Sequence, residues 1–184
     1  LIVREPNRAA LTYVVGQGLL QRDDDAGMAL LERTIALEPG SAVAVYPLLR
    51  DYCWKHGRKD EAQAWHSRFV QAAEIDDASQ RERSSVLASD KFERHGLDAA
   101  VLQPLLERLR AIPDLGKVYF VRKRVKHYPE RPLFVLAYRV APWWRWASKK
   151  ARERAHEALG QVLGNFAHET IFFCVEGENA GMLG

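Results

Sequence analysis

Cysteine is scarce in this chain. The two present, Cys53 and Cys174, lie far apart and match no CxxC or metal-ligand spacing, so buried free thiols are the first reading and no disulfide framework is indicated. Long apolar runs are missing as well. The longest, such as Leu133 to Tyr138, fall far short of the about 20 residues that a membrane-crossing helix needs. No GxxxxGKS/T, GxGxxG or GxSxG occurs, which leaves phosphate-loop, dinucleotide and nucleophile-elbow chemistry without an anchor. The acidic run Asp23 to Asp25 lacks the alternate spacing and closing glutamate of a calcium loop. His168-Glu169 opens like the HExxH zinc motif, but Phe172 holds the place of the second histidine, and the pair falls at a strand entrance instead of inside a helix. The six histidines, His56, His66, His95, His127, His156 and His168, are scattered. No catalytic residue, metal ligand or cofactor is therefore expected within these 184 residues, and the chain is not expected to be an enzyme in itself.

The bulk composition is that of a folded globular protein, 47% hydrophobic and 28% charged, which sets disordered and fibrous classes aside. The formal net charge of +3 hides an asymmetry. Lys117 to Arg154 carries twelve Lys or Arg against Glu130 and Glu153, a local net of +10, which leaves −7 for the rest. Two electrostatically opposite parts suggest two modules: a helical domain over 1–112 and a small basic domain over 113–184. The chain opens at Leu1 and stops just after a turn-like Glu-Gly-Glu-Asn stretch, so it is expected to be a piece of something longer.

From Arg8 to about Leu87 the apolar residues recur at helical spacing. Helices are expected over Ala9 to Gln21, Ala26 to Leu37 and Val43 to Lys55, then from an Asp60 cap toward Ala88, with aspartate capping the second. Another helix is expected over Leu97 to Ala111, with Pro104 near its start. After Pro113-Asp114-Leu115-Gly116 the pattern turns to Val, Phe, Tyr and Leu, which predicts a hairpin of Lys117 to Lys126 and Leu133 to Val140. Ser148 then caps a helix whose apolar face is Ala151, Ala155, Leu159, Val162 and Leu163, and Thr170 to Val175 supplies a third strand. The expected fold class is α+β: helical hairpins followed by a ββαβ two-layer domain.

The two hairpins repeat. Gly27 aligns with Ala62 at a spacing of 35 residues, one more than the about 34 of a tetratricopeptide repeat. Ala29-Leu-Leu-Glu-Arg-Thr-Ile-Ala-Leu-Glu-Pro39 resembles the second helix and closing proline of that repeat, and Gly57 to Ala62 resembles its inter-helix turn. Gly27 and Thr34 stand where the family prefers alanine, and two units are fewer than the three a solenoid usually stacks. The resemblance implies that the first helix of each hairpin lines a groove for a partner peptide. The matching groove positions are Tyr13, Asp51, Trp54 and Lys55.

A second candidate surface is basic and aromatic: Arg122 and Arg124 on the hairpin, then Trp143, Trp144, Arg145 and Trp146, then Lys149 and Lys150. Interleaved Trp and Arg suit an anionic membrane interface. They also suit nucleic acid, the weakest of the readings, or a solvated strand face with tryptophans closing a core.

Glu82-Arg-Ser-Ser-Val-Leu-Ala-Ser-Asp90-Lys-Phe-Glu-Arg-His-Gly-Leu97, Ala111-Ile-Pro-Asp-Leu115, Val118-Tyr-Phe-Val-Arg-Lys-Arg124 and Tyr128-Pro-Glu-Arg-Pro-Leu-Phe-Val-Leu136 together resemble the region C-terminal to the protease domain of HtpX-like bacterial membrane zinc metallopeptidases, where tetratricopeptide-like helices precede a small α/β tail. The family's HExxH helix and third zinc ligand have no counterpart here, so no catalytic residue carries over. The resemblance implies a non-catalytic region that positions a substrate or adaptor for such a parent, in the cytoplasm or at the cytoplasmic face of the inner membrane. The alternative is a free-standing scaffold that binds a peptide.

Overall fold

Helical hairpins come first, as the periodicity predicts. In the computed structural model, which describes residues 8–140 and 148–175, α1 (Arg8–Gln21) and α2 (Ala26–Leu37) form one antiparallel pair, and a 3-10 turn at Pro39–Ser41 leads into α3 (Ala42–Lys55) and α4 (Lys59–Ser84). The turn between α1 and α2 uses Asp23 at φ 60°, and that between α3 and α4 uses Gly57 at φ 74°; only a residue tolerant of left-handed backbone fits either place. Asp25 precedes α2 without a side-chain cap bond. Asp24 acts instead, its Oδ1 accepting from the Ala26 amide at 2.9 Å. Asp60 lies in the first turn of α4, and the helix stops at Ser84, short of Ala88. A core of Leu31, Val45, Leu49 and Cys53, all fully buried, with Ala62 and Trp65 joins the hairpins. Each such leucine contributes about 1.5–3 kcal/mol by leaving water.

The chain divides into two compact units between Gln80 and Arg81, not at residue 112. The second unit runs β1 (Phe92–Arg94), α5 (Ala99–Arg110), β2 (Leu115–Lys123), β3 (Leu133–Val140), α6 (Lys149–Gly164) and β4 (Glu169–Cys174). The expected ββαβ core is present, with β1 and α5 added in front of it. The sheet order is β1-β2-β3-β4, antiparallel between β1 and β2 and between β2 and β3, parallel between β3 and β4. The parallel pair needs a long crossover, and α6 is that crossover. The fold class is α+β, as the pattern of elements predicts.

Leu105, Leu109 and Ile112, at and after α5, share one core with Leu136, Tyr138 and Val140 of β3 and with Ala151, Ala155, Leu159 and Leu163 of α6. That is why α5 belongs with the sheet: its apolar stripe has a sheet face to cover. Ser148 caps α6 as expected, its Oγ accepting from the Ala151 amide. β3 is buried from Leu133 through Tyr138, the mark of a strand covered on both faces. The alternation puts Phe120, Leu136 and Phe172 toward the helices and Val121, Val135, Ala137 and Phe173 toward the opposite face. Along that opposite face runs the segment after α4, held by two buried cations. Lys123 Nζ donates to the carbonyls of Glu82 and Ser85 at 2.7 and 2.8 Å and pairs with Asp90 Oδ2 at 2.7 Å. Arg83 pairs with Glu169 at 2.7 Å and donates to the carbonyls of Tyr128 and Arg131.

Candidate functional site

α1 and α3, the first helices of the two hairpins, face one another across a pocket of about 270 Å³. Its floor is Leu20, Leu48 and Tyr52, and its polar walls are Gln17 and Gln21 from α1 and Asp51 and Lys55 from α3. The i, i+4 spacing of each wall pair places its members on one helix face. Of the four groove residues expected from sequence, Asp51 and Lys55 line this pocket. Tyr13 sits one turn before Gln17 and packs against the hairpin core, while Trp54 is 65% exposed and lies outside the lining. Gln17 and Gln21 are the residues that the sequence reading passes over. Their signal is the four-residue spacing of two carboxamides on a first helix, which is easy to miss beside charged and aromatic neighbours.

The α3 end of the pocket is tied to the turn between α1 and α2. Lys55 Nζ bonds Asp23, and His56 Nε2 lies 3.4 Å from the same carboxylate. Tyr52 donates its phenolic proton to Asp25 Oδ1 at 2.6 Å, and an Arg58 nitrogen lies 3.3 Å from that oxygen. The bond to Asp25 pushes the Tyr52 phenol up to about 12. The same bond, aided by Arg58, holds Asp25 below the usual carboxylate range, and Lys55 does so for Asp23. Asp51 pairs with its neighbour Arg50 at 2.7 Å. One wall of the pocket is therefore held by ionic bonds, whereas the other carries the carboxamides of Gln17 and Gln21.

The basic surface is more neutral than its sequence window suggests. Glu93 of β1 lies 3.4 Å from Arg122 and 2.9 Å from Arg124, Asp114 pairs with Arg154 at 2.8 Å, and Lys123 is buried on Asp90. Glu93, Asp90 and Asp114 all fall outside the window of Lys117 to Arg154. Lys149 is 84% exposed, 3.8 Å from Glu153, and Lys150 is exposed beside it. Trp143, Trp144, Arg145 and Trp146 lie outside the described residues.

His168 lies against the rings of Phe134 and Phe166, at centroid distances of 5.3 and 5.2 Å, and Glu169 takes Arg83. Among the described residues no three His, Cys, Asp or Glu side chains converge as metal ligands do. Among the described residues, too, no helix is long and apolar enough to cross a membrane. In comparisons with known proteins the chain matches no family model, no curated sequence and no solved structure.

Proposed function

We propose that this chain is a protein-interaction and substrate-positioning module whose α1–α3 groove takes an extended peptide. The observation that carries the reading is the pairing of Gln17 and Gln21 over the floor of Leu20, Leu48 and Tyr52. A carboxamide both donates and accepts, so two of them one helical turn apart match the alternating N–H and C=O of an extended backbone. The apolar floor takes one side chain of that peptide. Asp51 and Lys55 on the opposite wall select its charge pattern through complementarity. Following the resemblance stated above, the parent protein is a membrane-associated zinc metallopeptidase, with the groove presenting substrate to a catalytic domain encoded elsewhere. The free-standing scaffold shares the groove and differs only in lacking that parent.

Peptides selected from a random display library against the chain, then titrated by fluorescence polarisation, test the groove. The expected result is a peptide whose affinity falls at least tenfold in Gln17→Ala/Gln21→Ala, a double variant with unchanged helix content. Selected peptides that bind this variant as well as the parent chain overturn the groove assignment.

A further inference from the structure

The sheet face turned away from α5 and α6 carries a second pocket, of about 250 Å³, walled by Val121, Val135, Ala137 and Phe173 and roofed by Val86 and Leu87 of the segment after α4. Its rim is apolar and open to solvent: Leu87 is 56% exposed and Phe92 41%. The strand register gives the pocket two unlike ends. At one end the next inward-facing residue of β2 is Lys123, paired with Asp90 and roofed by the carbonyls of Glu82 and Ser85, so that end is closed. At the other end Tyr119 pairs across from Ala137, and beyond it the β2–β3 register is irregular between Leu115 and Val118; Arg139 follows Ala137 by two residues on β3, and Lys117 lies on the irregular stretch of β2. Lys117 Nζ lies 4.9 Å from the centre of the Tyr119 ring, and Arg139 is half-buried.

An apolar slot closed at one end and cationic at the other is complementary to an amphipathic anion. We propose that this pocket binds a free straight-chain carboxylate, its alkyl chain between Leu87 and the strand residues and its carboxylate at Lys117, Arg139 and the Tyr119 hydroxyl. The volume sets the chain length. At about 30 Å³ for each water-sized group, the pocket holds roughly eight carbon-sized groups, the length of octanoate, and it lies below the about 300–1,000 Å³ of drug-sized sites, which favours one narrow chain over a ring system. The Lys117 ammonium, with Arg139 adding to its effect, already holds the Tyr119 phenol below its ordinary range, consistent with a locus that stabilises negative charge. The site lies wholly in the second unit and does not depend on the peptide groove.

Isothermal titration with carboxylates from hexanoate to dodecanoate, kept below their micelle concentrations, tests the proposal alongside methyl octanoate as the uncharged comparison. Affinity is expected to rise about fourfold for each added methylene and to level off near eight carbons. Methyl octanoate should bind at least fivefold more weakly than octanoate. Lys117→Gln/Arg139→Gln should remove that difference while leaving the ester's affinity unchanged. Leu87→Asp, at the exposed rim, should abolish octanoate binding without disturbing the sheet, and Ala137→Trp should do so by filling the slot. Absence of octanoate binding, affinity that keeps climbing past ten carbons, or equal affinity for acid and ester overturns the assignment. So does undiminished octanoate binding in Leu87→Asp. Association with phosphatidylglycerol vesicles in the absence of octanoate binding would transfer the patch to a bilayer surface and equally overturn it.

Discussion

At residue scale the hairpins approach closely where Gly16 of α1 meets Gly27 of α2. A Cβ on Gly27 would stand 2.5 Å from the Gly16 carbonyl oxygen and 2.9 Å from Leu20, so glycine there is a condition of the close approach of the two backbones. Packing alone thus gives Gly27 a physical cause. The pair of helices is also joined by the Thr12 and Thr34 hydroxyls at 2.9 Å. Gly27→Ala is expected to cost about 1–3 kcal/mol as an overpacking substitution, read as a shift in the chemical denaturation midpoint; an unchanged midpoint would refute the close contact. The Tyr52–Asp25 bond sets a pH window. A phenol raised from 10.0 to about 12 in the fold stabilises it fully below pH 10, and that contribution drains away as pH rises toward 12. The carboxyls of Asp23 and Asp25, held below 3.8, stabilise the fold above that pH and lose their contribution as pH falls further. Thermal melts should therefore show an alkaline decline beginning near pH 10, and Tyr52→Phe should flatten it while lowering stability at neutral pH. A variant that declines as the parent does in that range would mean that other groups govern it.

At element scale the segment between α4 and β1 is fixed by side chains and has little regular backbone pairing of its own. Lys123 is 2% exposed with three oxygen partners drawn from residues 82, 85 and 90, and Arg83 spans to the β2–β3 turn and to β4. Lys123→Ala removes one half of a buried pair and orphans two carbonyls, at an expected cost of about 3–5 kcal/mol. Hydrogen exchange should show the loss first in residues 82–91 and β1, before the α5–α6 core opens; uniform loss would count against a local tether. These cations also explain what sequence makes legible. The limits of α2 and β3 follow from it directly, because Asp and Pro-Gly punctuate α2 and a run of Leu, Phe, Val and Ala bounded by Pro132 marks β3. β1 is hidden because Phe-Glu-Arg is three residues long, without the alternation that identifies a strand, and its pairing to β2 is decided by tertiary contact. α5 is visible as a helix, with Pro104 inside it, but its allegiance to the sheet is not, since an apolar stripe does not name the surface it will cover.

At the scale of the whole molecule, charge separates less sharply than the sequence window implies. Dividing the chain at Gln80 brings Glu82, Asp90, Glu93 and Asp114 into the unit that holds the basic stretch, and three of the four are ion-pair partners of its cations. The groove follows a similar logic. Asp51 and Lys55 are indicated by the repeat resemblance and line the pocket, whereas Gln17 and Gln21 need the α1–α3 approach to join them there. The neutralised cations and the exposed ones should consequently behave differently at an anionic surface. Arg122 and Arg124 share Glu93, so their field is partly cancelled before any lipid is met. Lys149 and Lys150 stand exposed at the start of α6, and among the described residues Lys149 has a 3.8 Å i, i+4 pair to Glu153, the kind of surface contact that contributes little. At about 1 kcal/mol for each cation near an anionic leaflet, Lys149→Glu/Lys150→Glu should lower cosedimentation with phosphatidylglycerol vesicles by more than tenfold, and Arg122→Glu/Arg124→Glu by less than threefold. Added salt should erase the difference as screening removes both contributions. Equal losses in the two double variants would show that Glu93 does not mask the hairpin cations, and the basic face would then act as one surface, as its sequence first implies.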